Sequence, residues 1–98
     1  MIKYYYTVHY TNKFKKNLKK VLKQGKSIDK LMNVVDKLAC GESLEAKYKN
    51  HRLIDDKNYK NCGECHIEPD WLLVYQYNEN KLILLLVNTG SHSDVLDI

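Results

Sequence analysis

Ionisable side chains that can move protons occur in two short stretches of the second half of the chain. His66 and Asp70 precede one apolar run, and His92 closely follows the next. The polar turn Asn78–Asn80 joins the two runs, which is the pattern of a β-hairpin. Because a hairpin brings the start of its first strand beside the end of its second, we expect the three side chains to lie together. Imidazoles and a carboxylate at one sheet edge can transfer protons beside an anionic substrate.

The size and charge of the chain limit the kind of site. Its 98 residues predict one domain, spanning residues 1–98, with a real core and a shallow surface concavity as active site. Lys and Arg outnumber Asp and Glu by 16 to 12, and most of the excess lies in Lys13–Lys30. This basic block indicates an anionic partner, with a nucleic acid as the first candidate and an acidic protein segment as the second. The alternative is that the block is simply a solvated helix face. No membrane-length apolar run or secretion signal is recognised, so a cytoplasmic protein is expected.

The cysteines raise the question of a metal or haem. Cys40, Cys62 and Cys65 are an odd number without an export signal, which argues against a disulfide framework. Cys62, Cys65 and His66 spell C-x-x-C-H, a haem-attachment pattern that also supplies three zinc ligands. The motif runs straight into a strand-like segment and has no second ligand pair. We therefore expect buried strand cysteines and no metal or cofactor.

Local patterns predict a strand, two helices and then four strands. Aromatic and β-branched residues favour a first strand over Tyr4–Tyr10, after which Thr11 or Asn12 caps an amphipathic helix that ends at Gly25. A second helix begins after its N-cap Ser27 and closes at Gly41. The later strands, with a polar turn at Asp55–Asn58, are predicted over Tyr48–Ile54, Tyr59–Ile67, Trp71–Tyr77 and Lys81–Val87. The architecture is therefore α+β, in the order β-α-α-β-β-β-β, with the helices covering the sheet.

This order, the string His66–Tyr75 and the ending Thr89–His92 strongly resemble the RelE/YafQ-like toxins of bacterial type II toxin–antitoxin systems. The resemblance covers nearly the whole chain, and its specific part lies between His51 and Leu96. It implies a RelE-like fold, with two helices packed on a small, twisted, mainly antiparallel sheet. It also implies a ribosome-dependent endoribonuclease that cuts messenger RNA in the decoding site. The implied partners are messenger RNA, the ribosome and a co-expressed antitoxin, the last in a hetero-oligomer.

The resemblance also assigns functional positions. Those that match the histidines and carboxylates of the YafQ branch are His51, Glu64, His66, Asp70 and His92. Metal-independent RNA cleavage needs a base for the 2′-hydroxyl, an acid for the leaving 5′-oxygen and cations for the phosphorane-like charge. We expect His92 to be the acid, His66 or Asp70 the base, and His51 an orienting or phosphate-contacting group. The nearest candidates for phosphate binding are Arg52, Lys49 and Lys60.

Two departures from the family pattern bear on substrate contact. Relatives often carry a Gly-aromatic-Arg run where this chain has Asn61–Gly63, so a cation is missing and Arg52 is its expected replacement. Leu96 stands where relatives often have an aromatic residue that contacts substrate, and leucine cannot stack on a base as a ring does.

Two other classes of function remain open. A gyrase-inhibiting RelE-fold toxin would be a binding protein, but it would not need His51, His66 and His92 together. A zinc-stabilised nucleic-acid-binding module would use Cys62, Cys65 and His66, and a metal assay would reveal it.

Overall fold

A five-stranded sheet with two helices on one face organises the structure. The computed structural model describes residues 4–53 and 59–96. In chain order the elements are β1 (Thr7–Tyr10), α1 (Asn12–Lys23), α2 (Ile28–Ala39), β2 (His51–Arg52), β3 (Gly63–Glu68), β4 (Trp71–Asn78), β5 (Ile83–Gly90) and α3 (His92–Leu96). One turn of 3-10 helix, Ala46–Tyr48, precedes β2. None of the helices in the described ranges is long and apolar enough to cross a membrane.

The strands lie in the order β1-β5-β4-β3-β2. β1 runs parallel to β5 and every other neighbouring pair is antiparallel, so the predicted α+β class with a mainly antiparallel sheet is confirmed. In the β4–β5 hairpin Leu72 pairs with Gly90, near the start of one strand and the end of the other. The chain segments just before β4 and just after β5 therefore leave the sheet at the same place.

Alternating side chains of β4 divide the core between two faces of the sheet, because successive residues of a strand point to opposite sides. Trp71, Leu73 and Tyr75 pack with the apolar stripes of α1 and α2. Leu72 and Val74 belong to a second cluster on the other face, where their companions are Tyr59, Cys62 and Val95. Trp71 and Tyr75 are therefore core residues, and α3 covers part of the second face.

Both predicted helices are confirmed, since their signals are local. The Thr11 hydroxyl accepts the Phe14 amide at 3.0 Å and caps α1, while Ser27 precedes α2 without a side-chain cap bond. The first strand is shorter than predicted. The amides of Tyr5 and Tyr6 both donate to the carbonyl of Ala39 at the end of α2, which keeps them out of the sheet.

The predicted strands Tyr48–Ile54 and Tyr59–Ile67 were too long. Lys49 has φ 48° and Asn61 has φ 59°, both left-handed conformations that interrupt an extended chain. Between these two positions only His51 and Arg52, among the described residues, pair with β3, and β3 itself begins at Gly63, after the second interruption. Ile54 and the predicted turn Asp55–Asn58 lie outside the described residues.

The end of the sheet also differs from expectation. Left-handed Leu82, with φ 52°, lies in the hairpin loop, so β5 starts at Ile83 rather than Lys81 and continues to Gly90. The short helix α3, which was not predicted, begins immediately afterwards with His92.

Candidate functional site

His92 is the first residue of α3, and a reciprocal cap fixes where that helix begins. The Asp94 amide donates to the Ser91 hydroxyl at 3.2 Å, and the Ser91 hydroxyl donates to Asp94 Oδ2 at 3.0 Å. Lys20 of α1 contacts the other Asp94 oxygen at 2.9 Å, and its hydrogen bond is the main reason that the pKa of Asp94 is lowered. Gly90 permits this arrangement, because a Cβ there would lie 2.8 Å from the Asp94 Cβ.

Asp70 holds His92 from the other side. It shares with Pro69 the tight turn between β3 and β4, and its Oδ1 accepts the His92 amide at 2.9 Å. The same oxygen lies 2.6 Å from Nδ1 of the imidazole. These two hydrogen bonds, the backbone one first, lower the pKa of Asp70. A ring that donates through Nδ1 to a carboxylate leaves Nε2 available for proton transfer.

His66 lies beside this pair on β3. Its ring centroid is 5.4 Å from that of His92, and the rings meet edge to face. The His66 side chain is 16% exposed, against 41% for His92, so the two imidazoles differ in access to water. The juxtaposition that the hairpin pattern predicts for His66, Asp70 and His92 is therefore present.

Glu64 connects His66 to His51. Its Oε1 lies 3.5 Å from Nε2 of His51, its cross-strand partner, and 3.9 Å from Nε2 of His66. The other nitrogen of His51 is 2.9 Å from the Lys49 carbonyl, so a protonated ring would direct an N–H toward each acceptor. The Glu64 side chain is 6% exposed, and its Oε2 is buried without a hydrogen-bond partner in the described structure.

Cations line a concavity of about 640 Å³ beside the two imidazoles. Lys30 of α2 and Lys47 and Lys49 of the segment before β2 contribute to its wall, together with His66 and His92. Glu68 also lines it and is contacted by Lys26 at 2.7 Å and Lys30 at 2.8 Å, which lowers the pKa of Glu68. Lys30 is paired with Glu68, whereas Lys47 and Lys49 form no ion pair with a carboxylate in residues 4–53 and 59–96, so the last two are the better candidates for an incoming phosphate.

Three of the predicted contact residues lie apart from this concavity. Arg52 lines a separate hollow with Gly63 and Tyr75, because it follows His51 on a strand and points to the other face. The exposed Lys60 does not line the concavity either, and its carbonyl accepts Gln76 Nε2 at 3.2 Å. Leu96 packs against the second hydrophobic cluster rather than projecting toward the imidazoles.

The family model described as "Bacterial toxin of type II toxin-antitoxin system, YafQ" matches residues 6–97. This chain belongs to the YafQ toxin family. An "mRNA interferase toxin YafQ" of Escherichia coli BL21-DE3 is 31% identical over 87 residues, covering 88% of this chain and 90% of the relative.

Solved structures support the same YafQ assignment. A metal-bound toxin from Helicobacter pylori superposes with a TM-score of 0.84 at 41% identity, over 92% of this chain and 98% of that one. The toxin of the E. coli DinJ–YafQ toxin–antitoxin complex superposes with a TM-score of 0.81 at 28% identity, over 93% and 97% of the two chains. The RelE-like fold expected from the resemblance is confirmed.

The H. pylori toxin is a metal-bound structure, and the possible metal donors of this chain are the residues of the C-x-x-C-H motif. Cys65 is fully buried on the helix face of the sheet, and burial raises the pKa of its thiol to about 12. Cys62 lies in the cluster on the opposite face, and the adjacent His66 points away from Cys65. The C-x-x-C-H side chains therefore do not share one face of the sheet, which argues against a zinc module built from them. No group of three or more His, Cys, Asp or Glu side chains within residues 4–53 and 59–96 is arranged to hold a metal.

Sequence reasoning missed Lys30, Lys47 and Tyr48, which line the concavity beside the imidazoles. The ammonium groups of Lys37 and Lys47 lie 5.8 and 5.1 Å from the Tyr48 ring centroid, so this half-buried ring anchors the 3-10 turn. The signal in the sequence was the predicted end of the second helix. The segment that follows it must return to the sheet, and it passes beside the edge of the sheet.

Proposed function

We propose that this protein is a type II toxin that arrests translation by cleaving messenger RNA on the ribosome. The observation that carries the proposal is the pair of imidazoles, His66 and His92, with ring centroids 5.4 Å apart and a carboxylate near each ring. Two imidazoles can act as acid and base near neutral pH. Relatives named mRNA interferase support this reaction class over gyrase inhibition.

His92 is the proposed general acid and His66 the proposed general base. His66 takes the proton of the 2′-hydroxyl as the 2′-oxygen attacks phosphorus, and His92 Nε2 gives a proton to the 5′-oxygen as the P–O5′ bond breaks. The products are a 2′,3′-cyclic phosphate and a 5′-hydroxyl end. The lowered pKa of Asp70 makes it a weaker base, which favours orientation of His92 over the base role. Glu64 has the supporting role of placing a carboxylate 3.5 Å from His51 and 3.9 Å from His66.

The RNA strand is proposed to cross the concavity between the imidazoles and the segment before β2. Lys47 and Lys49 are exposed there and would contact the phosphates that flank the scissile bond. The site is open and small, so a second body must hold the strand in register. The ribosome is that body in this proposal, which also locates the protein in the cytoplasm.

The deciding experiment compares purified protein on one message with and without programmed ribosomes, in buffer that contains the Mg²⁺ the ribosome needs. We expect cleavage on the ribosome and poor cleavage of naked RNA, with ends mapped by primer extension. Equal cleavage of naked RNA would contradict ribosome dependence but not the nuclease. The residual cleavage of naked RNA is measured again in EDTA, where we expect no change, and a loss that added metal restores would contradict metal independence. Inhibition of gyrase supercoiling without RNA cleavage would favour the binding-protein class.

An antitoxin is the proposed protein partner, supported by the complex formed by the E. coli relative with DinJ. Lys16, Lys19 and Lys23 are exposed on α1 and could steer an acidic, initially flexible segment. Charge reversal at the three positions should slow association and flatten its salt dependence, as measured by surface binding with purified proteins. An unchanged association rate and salt slope would show that these lysines do not steer the partner.

A further inference from the structure

A chain of buried polar groups passes from α1 through β5 to α3. Asn88 of β5 is completely buried, and its Oδ1 accepts Asn17 Nδ2 at 2.6 Å and the Thr89 amide at 2.8 Å. Its Nδ2 donates to the Tyr59 hydroxyl at 2.9 Å, and that hydroxyl donates to the Val95 carbonyl at 2.6 Å. We call Asn17, Asn88 and Tyr59 the polar chain. It is not needed for the proton transfers described above.

The polar chain ends on α3, at the Val95 carbonyl, and this contact holds the short helix in place. α3 has only five residues, too few to be stable without tertiary contacts. The last carbonyls of a helix have no partner within it, and the Tyr59 hydroxyl supplies one at Val95. At the other end of α3, Asp70 accepts the His92 amide. The helix that carries His92 is thus held at both ends by side chains of other segments.

We propose that Tyr59 is a positioning residue for His92, which holds α3 at the angle that brings His92 onto Asp70. Asn88 fixes the Tyr59 hydroxyl from inside the sheet, and Asn17 fixes Asn88 from α1. The consequence for reaction rate rests on the proposed nuclease function. The consequence for the contact between His92 and Asp70 follows from the geometry alone.

Tyr59→Phe isolates this role. The phenyl ring keeps its place in the second hydrophobic cluster and near the Lys13 ammonium, 5.9 Å from the ring centroid. Only the hydroxyl is lost, which leaves Asn88 Nδ2 and the Val95 carbonyl without this partner. Tyr77→Phe is the matched control, because the Tyr77 hydroxyl also donates to a helix carbonyl, that of Leu38 at 2.7 Å on α2.

The first readout is the titration of Asp70, followed by carboxyl carbon NMR. The His92 hydrogen bonds lower the pKa of Asp70, so a displaced α3 should let it rise toward its ordinary value in Tyr59→Phe. Tyr77→Phe should leave it unchanged. The second readout is ribosomal cleavage, where we expect kcat to fall roughly 10-fold or more with KM unchanged, since small misplacements of a catalytic group are costly.

The outcomes separate positioning from stability. If Tyr59→Phe and Tyr77→Phe both lose activity in proportion to their loss of thermal stability, or if the Asp70 pKa is the same in both, the proposal is wrong. Should Tyr59→Phe fail to fold, Asn17→Ala loosens the same chain from partly exposed α1 and should shift the Asp70 titration in the same direction. Should the wild-type protein not cleave RNA at all, the proposed function fails while the Asp70 titration still decides the positioning role.

Discussion

His92 and Asp70 meet through two hydrogen bonds to a single carboxylate oxygen. The His92 amide lies 2.9 Å from Asp70 Oδ1, and the imidazole Nδ1 lies 2.6 Å from the same atom. One contact fixes the backbone at the start of α3 and the other fixes the ring. Asp70 therefore contributes both to the position of His92 and to a preference for the tautomer that carries a proton on Nδ1, and the predictions below follow from this pair and its neighbours.

His92→Ala should relieve the growth arrest that we expect on expression without an antitoxin, because a methyl group cannot donate a proton. Removal of one acid–base group should lower the cleavage rate by about 10²- to 10⁴-fold. His9→Ala is the control, since His9 is exposed on β1 at the opposite edge of the sheet order from β2. Undiminished cleavage by folded His92→Ala would remove His92 from the mechanism.

Asp70→Asn should lower cleavage through His92 rather than independently of it. The amide is nearly isosteric but carries no charge to favour the Nδ1–H tautomer. Activities of the two single variants and the double variant give the coupling. We expect the double variant to be no worse than His92→Ala alone. Fully multiplicative losses would mean that Asp70 acts elsewhere in the reaction, for example as the base.

Lys47→Glu should weaken binding to programmed ribosomes and reduce the salt dependence of cleavage, because a phosphate contact is lost from the concavity. Lys60→Glu makes the same charge change on an exposed residue that does not line the concavity. Cleavage at several salt concentrations compares the two variants. Equal losses would indicate a general charge effect and not a local phosphate site.

Stability should fall in acid because four carboxylates among the described residues are held ionised by hydrogen bonds. The pKa values of Glu45, Glu68, Asp70 and Asp94 are all lowered, chiefly by Lys37, Lys26, His92 and Lys20 respectively. A lowered native pKa gives stability that is complete above the unfolded values near 4 and is lost as the pH falls through the native values. Urea unfolding between pH 7 and 3 measures this, and the decline should be shallower in Glu68→Gln. A decline that begins above pH 6 would implicate other groups.

Much of the site followed from local signals. The helical period and the capping residue Thr11 define α1, and the apolar runs on either side of a polar turn define the β4–β5 hairpin. A hairpin leaves little freedom in where its flanking residues lie, so the meeting of His66, Asp70 and His92 could be expected from their positions along the chain.

Other features depend on contacts that are distant in sequence. The left-handed conformations of Lys49 and Asn61 end the strands earlier than their residue types suggest. β2 has only two residues, so the sequence offers no alternating pattern from which the face of Arg52 could be predicted. α3 is too short to be recognised by periodicity, and Asn88 resembles any polar strand residue until its partners Asn17 and Tyr59 are brought to it. Local propensity determined which segments are helix or strand, whereas packing determined where they stop and which polar groups are buried, because those depend on partners that the chain supplies only once it is folded.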